Sequence, residues 1–388
     1  LVGFEYREES YSDDRDPRLD GTVRFVADNG SEFPFVGDVL GSSPTADTQG
    51  SKDTTSIFAE LQIPLTEKID AQMAVRHEEI SDSDSATVGK FALGWNADEW
   101  LLVRGSIQTA FRAPNLVQTN QAQVARFGSR VDAVYQYITE NNTTTASGMD
   151  KDSKYTIQRF ATDAADNLQP EESTSHSIGF VIQPPQVEGL MLAVDWWEIE
   201  KEKTIGLFGR DNHTVLDLAM MIEHGPNNCG ALQRDFAVIR DDEELDQGVL
   251  DLFETAGICP VGEAYRVIDK YINMATRTLR GHDIRLKYDF DTMIGEFGLR
   301  YNASYTDTLY QVPTGQFNII NEYKASGVVP AYVNVKGFGD LLNIDGNYDE
   351  KHSLKLLWKK NSWGGSFSAL KKGGFIQASL TRSDGTEY

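Results

Sequence analysis

The residues able to carry chemistry are few: two cysteines, six histidines, a Trp196-Trp197 pair and scattered carboxylates and arginines. Cys229 and Cys259 lie about one loop apart, with Asn, Gly and Pro around both. That setting predicts a disulfide and an oxidising compartment, the alternative being two reduced, unrelated thiols; no CxxC or Cys/His spacing suggests zinc. The histidines have no ligand-like spacing, and no GxSxG, HExxH or Walker loop occurs. Asp82 and Asp84 alternate with serines, and Asp345-Gly346-Asn347 is similar to a calcium turn. Both lack a full set of oxygen ligands and read as solvated turns. No metal, no cofactor and no catalytic constellation is therefore expected. An enzyme reading, a glycosidase with two carboxylates, would need an acidic pair about 5–10 Å apart in a cleft. What remains is binding chemistry. Arg104 and Arg112 are candidates to hold an anion, although Arg112 also suits a structural role at a rim. Trp197 could stack on a sugar, or it could be a wall tryptophan beside an interfacial Trp196.

The elements that would position these residues are strands. Period-two alternation recurs in many separate segments. Ile57, Ala59, Leu61, Ile63 and Leu65 oppose Ser56, Phe58, Glu60 and Gln62. Ala71, Met73 and Val75 oppose Gln72 and Arg76, with His77 as a polar trespasser near the strand end; Phe91, Leu93 and Trp95 oppose Lys90 and Asn96. Leu101, Val103, Ile107 and Phe111 oppose Arg104, Ser106, Gln108 and Arg112. The theme continues with Ile284, Leu286 and Tyr288 against Asp283, Arg285 and Lys287, then Leu299 and Tyr301 against Arg300 and Asn302. Leu354, Leu356 and Trp358 oppose Lys355 and Lys359.

Connections alternate between short turns near 66–69, 97–100, 186–189, 291–295 and 361–364 and long loops near 12–53, 113–172, 204–263 and 311–349. The brief 81–85 connection is the exception on the long side. This pattern, with aromatics towards the ends of the apolar faces, predicts an all-β fold: a partial antiparallel transmembrane β-barrel with short periplasmic turns and long extracellular loops. A soluble domain with four such loops at one end would be unusual. The competing reading is a secreted soluble β-rich glycan-binding protein, in which the apolar faces would meet in a two-sheet core.

Composition agrees with the barrel. No apolar run approaches the ~18 residues a membrane helix needs. The net charge of −23 disfavours nucleic acid and anionic lipid surfaces as partners. Val215, Leu218, Ala219 and Ile222 predict one loop helix, with Thr214 as N-cap and Gly225 as stop. A bridge after it would stiffen the loop, by about 3 kcal/mol in the chain-entropy model.

Four stretches resemble the barrel of TonB-dependent outer-membrane receptors. Ala110-Phe111-Arg112-Ala113-Pro114-Asn115 is similar to that family's FRAP signature before a long loop. Leu168-Gln169-Pro170-Glu171-Glu172-Ser173 is similar to its L-x-P-E-x-S motif, and Asp195-Trp196-Trp197-Glu198-Ile199 to its aromatic pair. Asn273 followed by Gly281-His282-Asp283-Ile284 resembles its N…G-x-D/E strand. The resemblance implies a monomer embedded among outer-membrane lipid and lipopolysaccharide. It would bind a scarce nutrient, a ferric siderophore or an oligosaccharide, and import it with energy from TonB. It also implies an N-terminal plug, which this stretch of 1–388 does not supply. The tail from Ser383 to Tyr388 does not read as a closing strand.

Overall fold

The computed structural model describes residues 1–23, 25–30, 32–33, 45–140, 156–165, 167–313, 315–328 and 337–377; the tail from Ser383 lies outside them. Eleven strands follow one another as an antiparallel meander. They are β1 (Val2–Asp13), β2 (Thr48–Thr66), β3 (Ile69–Ile80), β4 (Ala86–Asp98), β5 (Leu101–Arg112) and β6 (Glu171–Ile182). After these come β7 (Leu190–Glu202), β8 (Arg277–Thr292), β9 (Gly295–Gln311), β10 (Glu350–Lys360) and β11 (Trp363–Lys372). A two-residue strand, Gly339–Asp340, adds to the end of β9.

Register puts the alternating residues on the two faces of this wall as their period demands. The apolar face has no core behind it. Leu61 is 58 %, Val75 50 % and Leu93 37 % exposed, while Leu286 and Leu299 are half-buried. Ile57, Phe91, Trp95, Ile107, Ile178, Trp196 and Phe367 are likewise exposed. So large a continuous apolar surface is one that water does not cover. The two-sheet core of a soluble sandwich does not form among the described residues.

The connections at one end span two to seven residues, and the tightest require special backbone. Gly295 closes β8 to β9 at φ 130°, where a Cβ would lie 2.5 Å from the Lys359 carbonyl oxygen. At the other end, besides the short 81–85 connection, the described residues of 14–47, 113–170, 203–276 and 312–349 lie outside the eleven wall strands, with Gly339–Asp340 pairing back onto β9. Two boundaries differ from expectation. β1 and β2 reach further into the first loop, because their ladder continues to Asp13 and Thr48. The third loop does not stop at 263: Ala264–Asn273, though strand-like, pairs outside the wall.

That strand is the centre of a small second sheet. It pairs antiparallel with Ile205–Leu207 and Val238–Arg240 and parallel with Thr156–Asp163, which carries Val124–Val131 on its far side. Among the described residues α1 (Leu116–Asn120) lies against β1 and β2, and four further helices accompany the small sheet: α2 (Ala133–Glu140), α3 (Arg210–His224), α4 (Gln247–Ala256) and α5 (Gln316–Ala325). The principal hydrophobic core lies here and not in the wall. Val134, Tyr135 and Ile138 of α2 meet Leu216, Leu218 and Met221 of α3, Leu252 and Phe253 of α4, and Phe317 and Ile320 of α5. Three long loops thus fold together as one cap.

The loop helix begins earlier than its expected Thr214 cap. Gly209 is the N-cap, and Thr214 sits buried inside α3 with its hydroxyl donating to the Asp211 carbonyl. Gly225 does end the helix, at φ 72°. Asp246 caps α4 by accepting from the Val249 amide, and Gly257 terminates it in the left-handed region. Cys229 and Cys259 form a disulfide, Cα–Cα 5.4 Å, joining the segment after α3 to the segment after α4.

Candidate ligand-binding site

The residues able to hold a ligand stand on the polar face of the wall. Arg104 and Asp195 are not adjacent strand partners; Gly179 stands between them in register on β6. Both carboxylate oxygens accept from the guanidinium, at 2.8 and 2.6 Å. The fork crosses a strand because Gly179 has no side chain: a Cβ there would sit 2.1 Å from Asp195 Oδ1. Trp197, two residues along β7, is half-buried on the same face. Its indole covers Gly281, which a Cβ would bring within 2.7 Å of the ring. Trp196 points to the apolar face beside Phe180, centroids 5.9 Å apart.

Arg112 is eight residues further along β5, roughly 26 Å at ordinary strand rise. The structure therefore groups Arg104 with Trp197 at mid-wall and leaves Arg112 at the rim. Arg112 Nε donates to Glu171 Oε2 at 2.6 Å, while its side chain is 64 % exposed. The other oxygen of Glu171 accepts the Ile205 amide at 2.7 Å. One edge of the guanidinium is held and the rest faces open space, which suits an anion.

The turn behind Arg112 is firmly built. Buried Lys52 donates to the Pro114 carbonyl at 3.0 Å and pairs with Glu9 at 3.3 Å. Asn115 and Gln118 form a reciprocal capping box on α1. Asn273 exchanges hydrogen bonds with the Gln169 backbone and donates to the Lys203 carbonyl, each at 2.8 Å. These motifs clasp the outer ends of β5 to β8, where the loops leave the wall.

A buried ionic network, absent from the expected site residues, ties the cap together. Arg240 forks onto Asp132, at 2.7 and 3.0 Å, and onto Asp217, at 2.9 and 2.8 Å. The first carboxylate comes from the second long loop and the other two groups from the third. Burial pushes the Asp217 carboxyl up to about 6 against the pull of Arg240, so it remains ionised at neutral pH. One turn earlier on α3, His213 lies between Asp235 at 2.7 Å and Asp269 at 3.3 Å. Burial opposes its charge, but the two carboxylates outweigh burial and raise its pKa to about 9.

A raised histidine pKa stabilises the fold fully below the unfolded value of about 6.5, and that contribution is lost as pH rises through 9. The shift corresponds to roughly 3 kcal/mol. Amide exchange in α3 of the full-length protein should therefore accelerate between pH 7 and 10 after correction for intrinsic rates, with wall strands unchanged. His213→Gln should remove this dependence; an unaltered profile would refute the assignment.

The family model described as TonB dependent receptor-like, beta-barrel matches residues 1–383. No curated protein matches. Among solved structures, the chain is similar to the siderophore receptor PirA from Acinetobacter baumannii, with 14 % identity and a TM-score of 0.53, covering 95 % of this chain and 38 % of that one. It is also similar to a mutant of the ferric enterobactin receptor PfeA from Pseudomonas aeruginosa, with 14 % identity, a TM-score of 0.52 and coverage of 96 % and 38 %. The chain thus spans about 38 % of the length of the receptors it matches. The exposed apolar face is then the lipid side of the wall and the polar face its lumen side. With the family model matching nearly end to end, this chain belongs to the β-barrel family of TonB-dependent receptors, proteins of the Gram-negative outer membrane.

Proposed function

We propose that this chain supplies the cap and part of the lumen wall of a receptor that binds a ferric siderophore and imports it into the periplasm. The family is one of transport receptors and not of enzymes. In this reading a plug domain outside residues 1–388 couples the barrel to TonB, and the protein works as a monomer among lipid and lipopolysaccharide. The observation that carries it is Arg112: an arginine anchored by one edge to Glu171 at the rim, with its side chain otherwise largely open. An anionic iron chelate offers the oxyanions that such a group prefers. The oligosaccharide alternative draws less support, because Trp197 is half-buried with part of its ring laid over Gly281.

The test is to purify the full-length receptor from outer membranes and identify co-purifying ligand by mass spectrometry. An iron chelate is expected, and Arg112→Gln should weaken its binding at least tenfold while the barrel keeps its β-sheet circular dichroism. A co-purified glycan, or unchanged chelate binding by the variant, would refute the proposal.

A further inference from the structure

From the Asp283 row to the Asp289 row, the lumen face of β8 to β10 carries five cations, Arg285, Lys287, Arg300, Lys351 and Lys355, against two carboxylates, Asp283 and Asp289, among the described residues. Lys287, Arg300 and Lys355 stand directly opposite one another on three neighbouring strands. Like charges in cross-strand register repel and destabilise a sheet. Asp289 relieves two of them, accepting from Arg300 at 2.5 Å and lying 3.2 Å from Lys287. Gly298, its register partner, leaves room for that bridge. Lys355 is exposed and makes no ion pair among the described residues.

Of the two rows above, one carries a single cation and the other one charge of each sign. Arg285, Asn302 and Ser353 form one row, and Asp283, Ser304 and Lys351 the next. Arg285 and Lys351 are exposed, again without an ion pair among the described residues. Lys351, Ser353 and Lys355 lie on one face of β10, with ~6.8 Å between successive members. Two lysine side chains can therefore converge over a hydroxyl and the neighbouring Asn302 amide. Arg285, Asn302, Ser304, Lys351 and Ser353 line a single recess, to which Asp195 and Asp283 also contribute. Asp195 is already engaged by Arg104.

We infer that this strip is an oxyanion site: it holds the carboxylates or phosphate of a small, multiply charged anion between Arg285, Lys351 and Lys355. It rests on the polar face being open to ligand, as the proposed function requires, and adds a second station on the wall well below Arg112. The charge register explains its selectivity. A dianion or trianion neutralises several cations at once, whereas a monovalent anion cannot bridge them.

The experiment uses the full-length receptor in detergent at low ionic strength, with thermal unfolding as the readout. Citrate and inorganic phosphate are the probes, each compared with chloride at matched ionic strength. Citrate should raise the midpoint, and a matching effect of phosphate would assign a general oxyanion site instead of a polycarboxylate one. Lys355→Gln should raise the midpoint of the anion-free protein, by relieving repulsion, and cut the citrate response by more than half. Lys68→Gln, on a short turn, should do neither. The inference is overturned if neither anion acts beyond chloride. It is equally overturned if Lys355→Gln lowers the anion-free midpoint, since a carboxylate elsewhere in the polypeptide would then already pair with Lys355. Neither readout depends on transport or on the cargo being a siderophore, so failure here leaves the chelate experiment standing.

Discussion

Replacing Arg240 with Ala should lower the stability of the cap by about 3–5 kcal/mol, the usual cost of removing one partner from a buried ionic group. Arg240 is 6 % exposed, and both carboxylates it holds, Asp132 and Asp217, are 2 % or less. Without the guanidinium, two buried acids would be left together with no counter-charge. Burial already pushes Asp217 up to about 6 with Arg240 present; in its absence the carboxyl would take up a proton near neutral pH. The damage should be local to the cap. Asp132 precedes α2 and Asp217 lies within α3, so the two long loops lose their chief polar tie while the wall ladder is untouched. Limited proteolysis of the full-length receptor should cut within 113–170 and 203–276, and amide exchange should rise there but not in β4 or β5. A triple variant, Asp132→Asn, Asp217→Asn and Arg240→Met, should recover much of the loss, because no uncompensated charge remains. Cleavage in the wall strands, or no change in the cap, would show that the network does not hold the loops together.

The wall was legible in the sequence and most of the cap was not, for one physical reason. A strand that divides lipid from lumen must alternate at every residue, and the faces of Leu61, Val75 and Leu93 show that period without tertiary help. The cap helices are short and bury their faces against elements distant in sequence. α2 in the second loop packs on α3 in the third, and α3 in turn on α5 in the fourth, and no local window contains such a contact. Some of it was readable: Asp246, Val249, Leu252, Phe253 and Gly257 carry the signals of a capped helix. The Thr214 cap was misplaced because a threonine before an apolar stripe is a common N-cap. Its choice hid His213 and Asp217, four apart on the buried side of α3. Arg240 was obscured by the acidic run that follows it. Of the candidate site residues, the structure places Arg104 and Trp197 on one patch of wall. Nothing in the sequence revealed that Gly179 lets the arginine reach a carboxylate two strands away.

The sharpest consequence of the wall's two faces is an expected asymmetry between neighbours. Leu93 and Ala92 are adjacent on β4, with Leu93 on the lipid side and Ala92 on the lumen side. Leu93 is cross-strand to Ala71 and Gly105, two residues inside the start of β3 and four inside the start of β5, on the apolar face between Phe91 and Trp95. Leu93→Arg should therefore destabilise the barrel by about 1–3 kcal/mol, between the interfacial and the midplane cost of a lipid-facing arginine. Ala92→Arg adds the same charge one residue away, yet points into the hydrated lumen among Gln72 and Ser106, its register partners. It should cost less than about 1 kcal/mol, as expected of a surface change away from buried features. Reversible denaturant unfolding of the full-length receptor into phospholipid vesicles measures both. The comparison holds side chain, charge and strand constant and varies only the face. Equal penalties would mean that neither face meets lipid, and a larger one for Ala92→Arg would reverse the assignment of inside and outside.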